Sequence, residues 1–160
     1  MSHYAGIGSR ETPIEIKEII KRVVEYLNSK NFILRSGGAP GADSYFEEYS
    51  NEKEIFLPWR EFNGNDSNLY TPSPESFDMA KKYHPGWNRL SHGARKLMAR
   101  NCHQVLGKDL KTPVDFIVCW TKDGGESGGT GQALRIARDL NIPVYNLYFE
   151  DTIDKIFNEI

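Results

Sequence analysis

Three glycine-rich turns hold most of the residues in this sequence that could do chemistry. They read Gly6-Ile7-Gly8-Ser9-Arg10, Ser36-Gly37-Gly38-Ala39-Pro40-Gly41-Ala42-Asp43 and Gly124-Gly125-Glu126-Ser127-Gly128-Gly129-Thr130-Gly131. Glycine lets a backbone approach a ligand closely and adopt positive φ. The free N–H groups of a following helix offer an anion both donors and a favourable dipole. The chemistry expected is therefore phosphate binding. Gly8, Gly37, Gly38, Gly41, Gly128, Gly129 and Gly131 form the expected cradle, with Ser9, Ser36, Thr121 and Thr130 beside them. Arg10 can add a bidentate contact to a phosphate. None of the turns matches the spaced G-x-G-x-x-G fingerprint or the lysine-bearing P-loop, so the binding mode is neither of those.

Other polar residues carry two readings each. Asp43 sits in the first turn of an expected helix, where it either caps the helix or accepts from ribose hydroxyls. Asn101 falls on an apolar face set by Ala94, Leu97, Met98 and Val105. A buried amide needs partners, so Asn101 either pins a loop or reaches the ligand. Arg95 lies beside that face, Arg100 more toward solvent, and His92 and His103 on the opposite side, as surface or loosely packed residues. Trp59, directly after a strand end, is the candidate for stacking on a base. The remaining aromatics of that stretch, Phe62, Tyr70, Phe77, Tyr83 and Trp87, read mainly as a satellite core. Metal-ligand spacing is absent from the sequence, and no metal or cofactor is expected.

These residues must be positioned by alternating strands and helices. Strands are expected at His3 to Ile7, Phe32 to Leu34, Glu54 to Leu57, Val114 to Trp120 and Pro143 to Leu147. Thr12-Pro13-Ile14-Glu15 has the form of a capping box with proline at the first helical position. The apolar stripe Ile16, Ile19, Ile20, Val23, Val24 and Leu27 follows it at helical spacing. Further helices are expected at Ala42 to Tyr49, Ser73 to Tyr83, Arg89 to Leu106, Thr130 to Leu140 and from about Asp151 to the end. The alternation predicts an α/β fold, a doubly wound parallel sheet with an aromatic-rich helical insertion at about 59–112. Residues 1–160 read as one domain. Ligands of such sheets bind beyond the carboxyl ends of the strands, where all three glycine turns fall.

Composition narrows the partners. The 160 residues have a net charge of −2, 39% hydrophobic and 26% charged residues, as in an ordinary globular protein. There is no global basic field, which argues against nucleic acid as a partner. Cys102 and Cys119 read as buried thiols in a reducing compartment. No segment reaches membrane-spanning length and no signal peptide is visible, so a cytoplasmic location is expected.

The second turn, Ser36 to Asp43, resembles the signature of the SLOG superfamily. That group includes the DNA-processing protein A family, the lonely-guy phosphoribohydrolases and small phage and bacterial YpsA-like proteins. Gly128-Gly129-Thr130-Gly131-Gln132-Ala133, followed by Ile142-Pro143-Val144-Tyr145, resembles the second half of the same fold. Arg95-Lys96-Leu97-Met98 resembles the R-K-x-x-M segment of the lonely-guy group. The resemblance covers most of the chain apart from about residues 60 to 87, and implies a Rossmann-like nucleotide-binding fold. The hydrolase branch uses an arginine of that segment, matched by Arg95, and a glutamate after its glycine turn. Leu134 and Arg135 stand where that glutamate would be. Base-bond hydrolysis needs a carboxylate. Glu126, Asp43 or Glu47 could supply one only in a different geometry.

The expected function is therefore binding of a nucleotide or nucleotide-derived signal, as a sensor or sequestering protein. An N-glycosidic hydrolase with Arg95 as a catalytic residue is the alternative, and a single-stranded DNA-binding module is a second. Members of the superfamily often dimerise, so a homo-oligomer is also open.

Overall fold

A computed structural model describes residues 2–160. Five parallel strands form one sheet: β1 (His3–Gly8), β2 (Ile33–Ser36), β3 (Lys53–Ile55), β4 (Phe116–Trp120) and β5 (Val144–Asn146). Their spatial order is β3-β2-β1-β4-β5. Six helices flank them: α1 (Ile14–Ser29), α2 (Ala42–Tyr49), α3 (Pro74–Tyr83), α4 (His92–Leu106), α5 (Gly128–Asp139) and α6 (Thr152–Glu159). This is a Rossmann-like α/β fold. The chain runs outward from β1 to β3, then returns to place β4 on the other side of β1. The crevice between β1 and β4 is thus the topological switch point, the place where open α/β sheets bind ligands.

Period-two alternation splits the sheet into two faces. Tyr4, Leu34, Phe116, Val118 and Trp120 pack with Val23, Val24 and Leu27 of α1, Phe46 of α2 and Ile156 of α6. Ala5, Ile7, Ile117 and Cys119 pack with Ala99, Cys102 and Val105 of α4 and Ala133, Leu134 and Ala137 of α5. Cys102 and Cys119 are free and buried, and burial pushes both thiols up to about 12. Among the described residues, no helix is long and apolar enough to cross a membrane.

One glycine in β1 is required by packing rather than by a ligand. A Cβ on Gly6 would lie 2.6 Å from the Phe46 ring and 2.7 Å from Leu34 Cδ1. Gly6→Ala is expected to destabilise the fold by about 1–3 kcal/mol through overpacking. Urea denaturation measures this, and an unchanged midpoint would show that α2 can move off the sheet at no cost.

The start of α1 differs from the capping box read in the sequence. Pro13 is the cap residue itself, with extended ψ, and no side chain caps the helix. The Thr12 hydroxyl instead donates to the Ser9 carbonyl at 2.6 Å. Helices α3 and α4 are capped by side chains: Ser73 Oγ accepts from Ser76 N–H and Ser91 Oγ from Ala94 N–H. Helix α4 begins at His92, after a separate 3-10 turn at Trp87–Arg89.

Helix α4 is wedged against the sheet, α3 and α5, and every residue from Ala99 to Leu106 is buried. His103 and Arg100 therefore do not face solvent. The His103 ring stacks on Phe56 at 5.7 Å between centroids, its Nε2 accepts from Ser73 N–H, and its Nδ1 lies 2.9 Å from the Gly107 carbonyl. This pattern requires the neutral tautomer with its proton on Nδ1. Burial lowers its pKa accordingly.

Candidate functional site

A cavity of about 410 Å³ opens at the carboxyl ends of β1 and β4. One wall is the first glycine turn, Gly8 to Glu11. The opposite wall is Thr121 and Lys122 after β4, continuing to Ser127, Gly128, Gly129 and Thr130 at the start of α5. Helix α4 closes the inner side with Leu97, Met98, Arg100, Asn101 and Gln104, and Ala39 and Asp43 complete it. The first turn of α5 thus borders the cavity, with glycines that leave space. A Cβ on Gly128 would meet nothing within 4 Å, and one on Gly129 would approach only Met98 Cε at 3.7 Å and Asn101 Nδ2 at 4.0 Å.

Helix α4 joins the second and third glycine turns through two adjacent side chains. Arg100 Nη1 donates to the Gly37 carbonyl and to the Phe56 carbonyl at 3.3 Å, and its Nε donates to Asn101 Oδ1 at 3.0 Å. Asn101 Nδ2 in turn donates to the Gly129 carbonyl at 2.9 Å. The first turn is tied to the second through one oxygen. The Ser9 carbonyl accepts from Thr12 N–H, the Thr12 hydroxyl and Ala42 N–H. This approach requires glycine at 41, where φ is +82° and a Cβ would sit 2.5 Å from that same carbonyl oxygen.

Three cations line the cavity: Arg10, Arg100 and Lys122. None of them belongs to an ion pair among the described residues. Two of them lie against the Phe62 ring, with guanidinium carbons 5.8 Å (Arg10) and 5.5 Å (Arg100) from its centroid. Burial lowers the Arg100 pKa to about 10, which leaves it fully charged at neutral pH. Burial raises the carboxyl of Asp43 to about 6, against the pull of Arg100 and of the Ala39 and Gly8 N–H groups. Its Oδ2 accepts from Ala39 N–H at 3.2 Å. A buried carboxylate that costs this much in solvation is the kind of group binding sites retain.

The structure brings together Gly8, Ser9, Arg10, Asp43, Asn101, Thr121, Gly128, Gly129 and Thr130. Asn101 pins the third turn, and it also borders the cavity. The other candidates sit behind or apart from this surface. Ser36 is fully buried and donates to the Gly6 carbonyl at 2.6 Å. Gly37 backs the site, since a Cβ there would press on Arg100 Nη1 and Asp43 Oδ2. Gly38 and Gly41 shape the second turn with positive φ. Gly131 allows the third turn to fold over the Glu126 carbonyl. Trp59 is partly exposed and meets the Phe62 ring edge to face. Arg95 packs over Trp87 and donates to its carbonyl, away from the cavity lining. Leu134 is in the core and Arg135 holds the Tyr83 carbonyl. Glu126 pairs with Arg138.

Sequence reasoning missed Arg100, Gln104 and Lys122. A single apolar stripe on α4 assigned Arg100 to solvent, because that argument assumes one buried face. The available signal was the adjacency of Arg100 to Asn101, the polar residue already placed on the buried side.

No protein-family model matches the chain, and no curated protein matches it. A solved structure is similar: that of DNA processing protein A from Helicobacter pylori, described as binding single-stranded DNA in a unique mode. The similarity covers 99% of this chain and 72% of that one, with a TM-score of 0.60 at 17% sequence identity. The fold is shared. This overturns the exclusion of nucleic acid drawn from net charge, because a protein of this fold binds single-stranded DNA. The physical reason is that phosphate recognition is local. A chain-wide charge of −2 does not report the charges gathered in one crevice, which here are Arg10, Arg100 and Lys122 with Glu11 and Asp43.

Proposed function

We propose that the crevice binds the phosphate group of a nucleotide or nucleotide-derived molecule, and that the protein acts as a sensor or sequestering protein for it. Arg100 is the observation that carries this reading. It is a buried guanidinium at the cavity wall, held in a fixed orientation by two carbonyls and Asn101, with the buried Asp43 carboxyl as its acidic neighbour. The hydrogen bonds of Arg100 use Nε and Nη1, which leaves the Nη2 arm of the guanidinium to donate to an anionic ligand. The phosphate sits between Arg10 and Arg100 on one side and Lys122 with the first N–H groups of α5 on the other. The Thr121 hydroxyl adds a donor: its Oγ1 accepts from Asn146 Nδ2 at 2.6 Å, which leaves its own proton for the crevice.

A second reading, single-stranded DNA, is favoured by the similar structure from Helicobacter pylori. Both readings use the same phosphate subsite. They separate by ligand length: a thymidine oligonucleotide series binds with rising affinity in the second and shows no gain beyond one nucleotide in the first.

Gly129→Asp tests the site. The substitution places a carboxylate where the phosphate would lie, in space wide enough that stability falls by no more than about 1 kcal/mol. Isothermal titration with a panel of nucleoside monophosphates and oligonucleotides is expected to show binding by the wild type and none by the variant. Equal affinity in the variant would remove the crevice as the site.

A further inference from the structure

The turn after β5 carries two aromatic rings that the core does not use. Tyr148 is 42% exposed and Phe149 51%. The rings stand edge to face at 5.3 Å, and Tyr148 leans on Trp120 at 6.3 Å.

Two features join this pair to the crevice. Asn146 Oδ1 accepts from both Thr121 N–H at 3.3 Å and Tyr148 N–H at 3.1 Å, while its Nδ2 donates to Thr121 Oγ1. One side chain therefore fixes a crevice residue and the base of the aromatic turn together. Gly124, two residues after the crevice residue Lys122, lies directly against the pair. A Cβ there would collide with the Phe149 ring and come within 3.2 Å of Tyr148 Cδ2.

We propose that Tyr148 and Phe149 form a stacking subsite for the base of a nucleotide whose phosphate occupies the crevice. The inference rests on the phosphate-binding reading above and extends it to a part of the ligand that carries no charge. A heteroaromatic base is the occupant that fits. Two ring faces offer too little area for a stable protein interface, which needs on the order of 1,000 Å². They offer what a base needs, an exposed aromatic face near a cation-lined phosphate site.

The test compares ribose 5-phosphate with adenosine and uridine monophosphates and a thymidine trinucleotide. Titrations use the wild type, Phe149→Ala, Tyr148→Ala and Phe149→Trp, with thermal melts confirming that each variant folds. The wild type is expected to bind the base-bearing ligands on the order of fivefold or more tighter than ribose 5-phosphate. Each alanine variant closes that gap and keeps its ribose 5-phosphate affinity within about twofold, and Phe149→Trp retains the gap. Unchanged nucleotide affinity in both alanine variants, or an equal loss for ribose 5-phosphate, overturns the stacking subsite and leaves the phosphate site standing. A wild type that binds none of these ligands overturns both.

Discussion

Replacing Arg100 by methionine is expected to weaken binding of a phosphorylated ligand by about a hundredfold or more. A charge-assisted hydrogen bond contributes roughly 1.5–3 kcal/mol, and a guanidinium facing a phosphate makes up to two of them. Methionine keeps much of the volume of the buried stem, so the change isolates the charge and its donors. It also leaves the Gly37 and Phe56 carbonyls short of a donor, which costs stability by about 1–3 kcal/mol. Arg100→Lys keeps the charge but loses the fork and is expected to fall between, near tenfold weaker. Calorimetric titration gives the affinities and urea unfolding gives the stabilities. If Arg100→Met binds the ligand as the wild type does, the guanidinium is a structural strut and the proposed phosphate site is wrong.

Asp43→Asn has the second large expected effect, in the opposite direction for stability. In the folded chain the Asp43 carboxyl sits near 6, raised mainly by burial from the ordinary 3.8. A raised acid binds its proton more readily in the folded state than in the unfolded one. Between about pH 4 and pH 6 the native protein therefore gains stability as pH falls, and above pH 6 it carries the cost of a buried carboxylate. A shift of this size corresponds to roughly 3 kcal/mol at the upper limit. The neutral amide removes that cost, so the variant is expected to be more stable than the wild type at pH 7.5 and to lack this pH dependence. Thermal melts of both proteins from pH 4 to 8 measure the difference curve. A wild type that is the more stable partner throughout would mean that the attraction between Asp43 and Arg100 exceeds the burial cost. The same carboxylate lies beside the phosphate site. Affinity for a phosphodiester, whose charge is constant over this range, is expected to rise in the wild type as pH falls through 6 and to stay flat in Asp43→Asn.

Much of this fold was legible because its strands and helices announce themselves by period. The buried strip of β4 and the stripe of α1 follow directly from Phe116 to Trp120 and from Ile20, Val23, Val24 and Leu27. Local polar chemistry read less well. Thr12 and Glu15 have the spacing of a capping box, but the Ser9 carbonyl, brought close by the turn, competes for the Thr12 hydroxyl and wins. The cavity was legible as a meeting of glycine turns, since strand order and parallel direction force the ends of β1 and β4 together. What glycine pattern alone cannot separate is a glycine that opens onto the cavity, such as Gly129, from one that lets two protein segments touch, such as Gly41 or Gly131. The difference lies in what stands opposite, and that is set by tertiary packing. Arg100 and His103 were misplaced for the same reason, because α4 has neighbours on more than one side.

The ties among the three turns have a kinetic consequence. Ser9, Thr12, Ala42, Gly37, Arg100, Asn101 and Gly129 hold one another in place through protein atoms alone. A ligand arriving here does not have to order the loops that receive it, so little of its interaction energy is spent on loop entropy. Free and occupied forms should superimpose closely. Association is then governed by diffusion and charge, and differences among competing ligands appear in how long each one stays.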